Sequence, residues 1–102
     1  MPGKVYRRSR LELYLDVLHA IYNGRRAPSR VVYAANLSYD RVMNCIDFLL
    51  AQGLVERIEG IKKKRYTVTE NGKNVIKYFQ EIEKHMGRRR YSDRLQVPVI
   101  MT

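Results

Sequence analysis

The sequence predicts a mostly helical α+β fold, on two observations. Apolar residues recur at helical spacing in four segments, and strand-like alternation occurs only between the third and the fourth. The second and third helical segments are joined by a tight turn, and a short hairpin with a basic tip follows them. Three helices, a two-stranded wing and a C-terminal helix in this order are typical of a winged helix-turn-helix.

The first helix is predicted from about Arg10 to Asn23. Ser9 is a suitable N-cap, and Glu12 stands where a capping box needs it. Asn23 and Gly24 end the helix, since glycine tolerates the left-handed conformation found there. One apolar stripe is expected to face the core: Leu11, Tyr14, Leu15, Leu18, Ile21 and Tyr22.

The second helix begins at Pro28 and the third at Ser38. The serine hydroxyl at an N-cap accepts a hydrogen bond from a free amide of the first turn. Leu37 and Val42 occupy the two positions of a hydrophobic staple, and Gly53 ends the third helix. Two apolar stripes are expected to be buried, one from each helix: Val31, Val32 and Ala35, then Val42, Cys45, Ile46, Leu49 and Leu50.

A hairpin and a last helix complete the predicted domain. Val55 and Ile58 lie in a first strand, Tyr66 and Val68 alternate in a second, and a turn at residues 59–60 leads to a lysine-rich tip. The last helix starts near Thr69 and ends at Gly87. Its apolar spacing predicts a seam for a partner helix and hence a homodimer, formed by Val75, Phe79, Ile82 and Met86.

Length and composition predict one small domain with an arm and a tail. The chain has 102 residues, of which 45% are apolar, and this suits a single modest core. We divide it into a basic arm (1–9), the winged domain (10–69), the dimerisation helix (70–87) and a basic and apolar tail (88–102). No apolar run approaches the roughly 20 residues of a membrane span, and the basic start lacks a signal-peptide pattern. We therefore expect a cytoplasmic, nucleoid-associated protein.

The charge predicts a polyanionic partner. Twenty Lys and Arg oppose ten Asp and Glu, so the net charge is +10. The positive residues are bunched in segments 4–10, 25–30, 62–65 and 88–94, which is an electrostatic footprint for nucleic acid. Charge alone does not separate DNA from RNA or from an anionic membrane.

Enzymatic and metal functions are not expected. Cys45 is the only cysteine, and His19 and His85 lie far apart without neighbouring ligands at metal spacing. They are interpreted as ordinary surface or half-buried histidines, and Cys45 as a small packed hydrophobe rather than a redox switch. No nucleophile–base pair or phosphate-binding glycine loop is present, so we expect no cofactor and no small-molecule ligand.

The polar face of the third helix is the candidate for reading bases. Helix-turn-helix proteins contact base edges from the N-terminal end of this helix. Arginine can bond guanine O6 and N7, and asparagine can bond adenine N6 and N7. The candidates are Ser38, Tyr39, Arg41 and Asn44, with Asp47 or Phe48 as additional possibilities; a solvated helix surface is the alternative.

Three further basic groups are candidates for contacts with DNA, and the N-terminal arm among them could enter an adjacent groove. The alternatives are a solubilising loop for the wing and a frayed terminus for the arm. The wing group, interpreted as a phosphate or minor-groove contact, comprises Lys62, Lys63, Lys64 and Arg65. The group that flanks the second helix comprises Arg25, Arg26 and Arg30. The arm group comprises Lys4, Arg7, Arg8 and Arg10.

Three stretches resemble small archaeal winged-helix DNA-binding proteins, which include chromatin-associated and regulatory members from thermoacidophiles. They are residues 30–39 (RVVYAANLSY), 48–55 (FLLAQGLV) and 66–73 (YTVTENGK). The resemblance covers about residues 11–83, and it implies double-stranded DNA binding and dimerisation through the last helix. The chain departs from the family in its longer wing and its shorter last helix.

The function expected from the sequence is therefore double-stranded DNA binding by a dimeric transcription regulator. A nucleoid protein with little sequence preference, an RNA-binding winged helix and a protein-interaction module remain as alternatives. Activation and repression are not distinguished by any feature of the sequence.

Overall fold

The computed structural model describes residues 8–87 of the chain. Within them the chain forms four helices and one two-stranded antiparallel sheet, in the predicted order. The elements are α1 (Arg10–Tyr22), α2 (Pro28–Ala35), α3 (Tyr39–Ala51), β1 (Val55–Arg57), β2 (Tyr66–Val68) and α4 (Glu70–Met86). The mostly helical winged helix-turn-helix fold is thus confirmed.

Helix α1 is the centre of the core. Its start is the predicted capping box, in which the Glu12 amide donates to Ser9 Oγ and the Ser9 amide donates to Glu12 Oε1. All seven residues from Leu15 to Ile21 are buried, because α2, α3, α4 and β2 surround this helix. The prediction of a single stripe was therefore too narrow. Two residues of that stripe, Leu11 and Tyr22, are about half exposed.

His19 lies inside this buried stretch, with 1% of its surface exposed. The expectation of a surface or half-buried histidine was wrong. The reason is tertiary: the periodicity of α1 places His19 off the apolar stripe, but α2, α3, α4 and β2 pack around α1 and bury this side as well.

Helices α2 and α3 form the helix-turn-helix. Pro28 occupies the first position of α2, where its missing N–H costs nothing. Asn36 ends α2 in the left-handed conformation, with φ of 57°, which asparagine tolerates better than most residues. Ser38 then begins α3, and its hydroxyl oxygen accepts from the Arg41 amide at 3.2 Å. Val31, Ala35 and the stripe of α3 pack against α1.

The sheet pairs Val55 with Val68 and Arg57 with Tyr66. Beyond it, the Ile58 amide donates to the Arg65 carbonyl at 2.9 Å, so the hairpin extends one residue past β1. On the other edge of β2, the Tyr66 amide donates to the Arg26 carbonyl at 3.0 Å. The segment between α1 and α2 is thereby tied to the wing.

Helix α4 begins at the N-cap Thr69, whose hydroxyl accepts from the Gly72 amide and donates to the Gly53 carbonyl. The helix ends at Gly87, as predicted, in the left-handed conformation. Ile76 is its most deeply buried apolar residue, and the predicted seam did not include it. Val75 packs at the margin of the same core.

Candidate nucleic-acid interface

The N-terminal half of α3 presents a polar face that the fold leaves open. Tyr39, Arg41 and Asn44 are exposed, and their side chains form no hydrogen bond or ion pair with any residue from 8 to 87. They are turned outward because the opposite face of α3 carries the core stripe, made up of Val42, Cys45, Ile46 and Leu49. Ser38 stands apart from these three, since its hydroxyl already caps the helix.

Phe48 belongs to the packing between α1 and α3. Its ring stacks on Tyr14, with ring centroids 3.9 Å apart and an interplanar angle of 8°. Although 38% of Phe48 is exposed, its face is already covered, so it fits a packing role better than a base contact. Asp47 is exposed beside it on α3.

The wing carries its lysines outward at the tip. Lys62, Lys63 and Lys64 are exposed, while two arginines bond to the backbone of the loop. Arg65 Nη1 donates to the Lys64 carbonyl at 2.9 Å, and Arg57 Nη2 donates to the Lys62 carbonyl at 3.4 Å. Arg65 is thus partly a loop support, and Arg57 is a support that sequence reasoning missed. Its partner, the Lys62 carbonyl, lies five residues further along the chain, and no sequence pattern pointed to this bond.

A second basic surface lies along α2 and the segment that precedes it. Arg25, Arg26 and Arg30 are all exposed, and Arg25 and Arg30 line one open groove of about 510 Å³ together with Ser29, Tyr33 and Ala34. Arg26 lies outside the lining of this groove. Tyr33, 87% exposed, was not a candidate, although its position opposite the buried Val31 and Ala35 predicts an outward side chain.

Arg8 is bound into the fold. Its Nη1 lies 2.7 Å from Asp16 Oδ2 and 2.9 Å from the Ala35 carbonyl, and its Nη2 lies 3.2 Å from the Asn36 carbonyl. These bonds separate Arg8 from the DNA-contacting arm in which the sequence places it. The signal for its actual place was Asp16, a carboxylate between apolar residues of α1. Lys4, Arg7 and the rest of segment 1–7 lie outside the described residues, as does the predicted tail.

The Cys45 thiol is buried against the core on α3. Burial raises the pKa of Cys45 above its usual value, and the nearby positive charges of Arg41 and Arg8 only partly oppose that rise. The thiol therefore stays protonated near neutral pH and is a poor nucleophile.

The predicted seam of α4 changes from half-buried to exposed along the helix. Val75 and Phe79 are half-buried, whereas Ile82 is 48% and Met86 65% exposed. The four side chains follow one face of α4, and the last two project beyond the core of the single chain.

Other site types find no support in the described part of the chain. Residues 8–87 hold no group of three or more His, Cys, Asp or Glu that could bind a metal ion. None of the helices there is both long enough and apolar enough to span a bilayer.

Four features together define the winged helix-turn-helix class. They are a short α2, a left-handed turn at Asn36, a third helix with an open polar face and a two-stranded basic wing. A family model described as winged helix-turn-helix matches residues 7–87. The chain belongs to this family.

Comparisons with individual proteins agree with the archaeal resemblance. An uncharacterised protein of Methanocaldococcus jannaschii is 32% identical over 77 residues, which are 76% of this chain and 75% of that protein. Sso10a-2, a DNA-binding protein from Sulfolobus solfataricus, is 23% identical with a TM-score of 0.60, and the match covers 89% of this chain and all of that one.

The fold is also similar to that of a bacterial regulator. A MarR family regulator from Neisseria meningitidis is 24% identical with a TM-score of 0.62. The match covers 81% of this chain but only 58% of the regulator, so the two share the winged domain and not the whole regulator.

Proposed function

We propose that this protein binds double-stranded DNA as a transcription regulator, with α3 in the major groove and the wing on the backbone or minor groove. The observation that carries the proposal is the open polar face at the N-terminal half of α3. Its three side chains are held outward by a buried stripe, and no intramolecular partner among residues 8–87 occupies them.

The chemistry of this face suits base edges. Arg41 has the planar donor pair that matches guanine O6 and N7, and Asn44 has the donor and acceptor that match adenine N7 and N6. Both lie within the first two turns of α3, which is the part of the helix that reaches deepest into a major groove. Tyr39 precedes them at the first helical position and suits a phosphate or sugar contact.

The charged surfaces contribute affinity for DNA but do not discriminate between base sequences. The wing candidates and the arginines in and just before α2 lie beside α3, and all of them except Arg65 of the wing are exposed. Their contacts with phosphates would release counterions and make binding steeply dependent on salt. The Sulfolobus solfataricus protein is described as DNA-binding and the Neisseria meningitidis protein as a regulator, and both descriptions support the proposal.

A dimer completes the proposal. Two copies joined along the exposed end of α4 would place two α3 helices on one face of a duplex, in successive major grooves about one turn apart. The protein in this proposal is not an enzyme, and it acts at the nucleoid.

The test compares a duplex DNA of about 20 base pairs with an RNA duplex of equal length by fluorescence anisotropy over a range of salt. If a dimer neutralises about eight phosphates, log affinity falls against log salt with a slope of about −7. A flat salt dependence on DNA, or a preference for the RNA duplex, overturns the proposal.

The role of α3 is tested separately with a DNA site selected from a random pool. Arg41→Ala and Asn44→Ala should each weaken binding to that site by about 1–3 kcal/mol. Gln52→Ala, at the exposed C-terminal end of α3, is the matched control and should bind like the unaltered chain. If all three variants bind the site as tightly as the unaltered chain, α3 does not contact the bases.

A chromatin role with little sequence preference is the second candidate. Exposed cations lie on two separate surfaces, one on the wing and one on α2 and the segment before it, and they favour this role because contacts with phosphates do not depend on base sequence. Genome-wide footprinting separates the two: a few discrete palindromic sites support a regulator, and broad coverage supports a chromatin protein.

A further inference from the structure

The guanidinium of Arg8 joins three parts of the helix-turn-helix. It forms an ion pair with Asp16, whose carboxylate side chain is fully buried in α1, while 22% of the Arg8 side chain is exposed. Through its two terminal nitrogens it also donates to the carbonyls of Ala35 and Asn36. One side chain thus connects α1 with the last residue of α2 and with the turn that follows.

A positive charge beside these two carbonyls stabilises the C-terminal end of α2. The last carbonyls of a helix have no helical partners and carry the negative end of the helix dipole. Ala35 ends α2 and Asn36 is the left-handed residue of the turn, and only Leu37 separates that turn from Ser38, the N-cap of α3. Arg8 therefore holds the backbone that determines the angle between α2 and α3.

We propose that Arg8 is a positioning residue for DNA recognition, fixing the α2–α3 turn so that the polar face of α3 meets the major groove. This inference rests on the proposed function. Because three protein oxygens already engage the guanidinium, Arg8 acts through the orientation of α3 and not by neutralising a phosphate.

The experiment uses the full chain with Arg8→Lys, Arg8→Met and Arg10→Met. Lysine keeps the positive charge beside Asp16 but lacks the planar fork that serves several oxygens at once. Methionine, in contrast, removes the positive charge that Arg8 places beside the buried carboxylate. Arg10→Met is the matched control for the exchange measurement alone, because it removes the same charge from an exposed side chain on the first turn of α1.

The first readout is amide hydrogen exchange measured by NMR. The Leu37 amide donates to the Val32 carbonyl and the Arg41 amide to Ser38 Oγ, so both report on the turn. We expect Arg8→Lys to speed exchange at these two amides by about tenfold. The Ile76 amide in α4 should be unchanged, and Arg10→Met should leave all three unchanged.

The second readout is affinity for the selected DNA site across a salt series. Arg8→Lys should weaken binding by about tenfold, which is in the range of couplings carried by packed networks, with the salt slope unchanged. If Arg8→Lys binds normally while Arg8→Met reduces the magnitude of the slope by about 0.9 for each subunit, Arg8 is a phosphate contact and the proposal is wrong. Equal acceleration at Ile76 and at the turn would show general destabilisation and would also overturn it.

The two proposals fail in distinguishable ways. An unaltered chain that does not bind the duplex contradicts the proposed function, whatever the Arg8 variants do. If the unaltered chain binds the duplex, and Arg8→Lys has the same amide exchange rates and the same DNA affinity as the unaltered chain, only the proposed role of Arg8 is contradicted.

Discussion

Gly72, in the first turn of α4, lies where the wing, the exit of α3 and α4 meet. A Cβ at this position would overlap the Leu54 carbonyl oxygen and would stand 2.6 Å from Val68 Cγ1. The Leu54 oxygen also accepts from the Thr69 amide, so it is held in place by the cap of the same helix. Glycine is needed here because the neighbouring backbone approaches closely. Its backbone freedom is not the reason, since the φ of Gly72 is an ordinary helical one.

Gly72→Ala is therefore expected to destabilise the protein by about 3 kcal/mol, because α4 must move away from the wing to make room for one methyl group. Urea unfolding followed by circular dichroism measures the change. Lys73→Ala, one residue on and exposed, is the control and should change stability by less than about 0.5 kcal/mol. A Gly72→Ala chain as stable as the control would show that the packing around this glycine relaxes freely.

Among single residues, helix caps were predictable and buried charges were not. Ser9, Ser38 and Thr69 begin their helices as expected, because a cap depends on a hydroxyl and an amide only three residues away. Arg8 and Asp16 are eight residues apart, and Arg8 and Ala35 twenty-seven. No local rule relates residues at such separations.

The wing is an element whose strands and tip have separate tasks. Its two three-residue strands bury Val55, Tyr66 and Val68 on the core, whereas the tip is exposed and is braced through backbone carbonyls. Because the lysine side chains themselves bear no part of this bracing, the tip can lose its charge without losing its shape.

Replacing Lys62, Lys63 and Lys64 together by alanine should reduce the magnitude of the salt slope for DNA binding by about 2–3 for each of the two wings of the dimer, at roughly 0.9 for each phosphate that a wing no longer neutralises. The thermal unfolding midpoint should stay within a few degrees of the original. Anisotropy across a salt series and a melting curve provide the two measurements.

The control for the wing removes the same charge elsewhere. Lys73, Lys77 and Lys84 are exposed on α4, and their joint replacement by alanine should leave the salt slope nearly unchanged. If both triple variants reduce the slope equally, the wing has no special place in binding and net charge alone determines affinity.

At the scale of the whole molecule, the C-terminal end of α4 is an apolar surface that the other residues from 8 to 87 leave exposed. Ile82 and Met86 continue the face on which Val75 and Phe79 pack. Exposed apolar side chains in a stripe on one helix indicate a partner surface when they repeat at coiled-coil spacing. A domain of this size gains stability from such a partner, since it buries a limited share of its own surface.

Replacing Ile82 and Met86 together by glutamate is expected to convert a dimer into monomers and to weaken binding to a palindromic site by more than about tenfold, because two half-sites are then no longer linked. Light scattering after size-exclusion chromatography measures the mass. Lys77→Gln with Lys84→Gln makes the same change in net charge on the other side of α4 and should stay dimeric. A monomeric original chain would contradict the dimer.

By itself, the sequence determined the order of the elements, their caps and ends, and the open face of α3. These features depend on periodicity and on bonds between near neighbours, which local residue order specifies. Tertiary structure decided the burial of α1 on every side, the inclusion of Ile76 in the core, and the places of Arg8, Arg57 and Phe48. These features depend on which surfaces pack together when four helices and a hairpin enclose one core. Such packing brings into contact residues that are far apart along the chain.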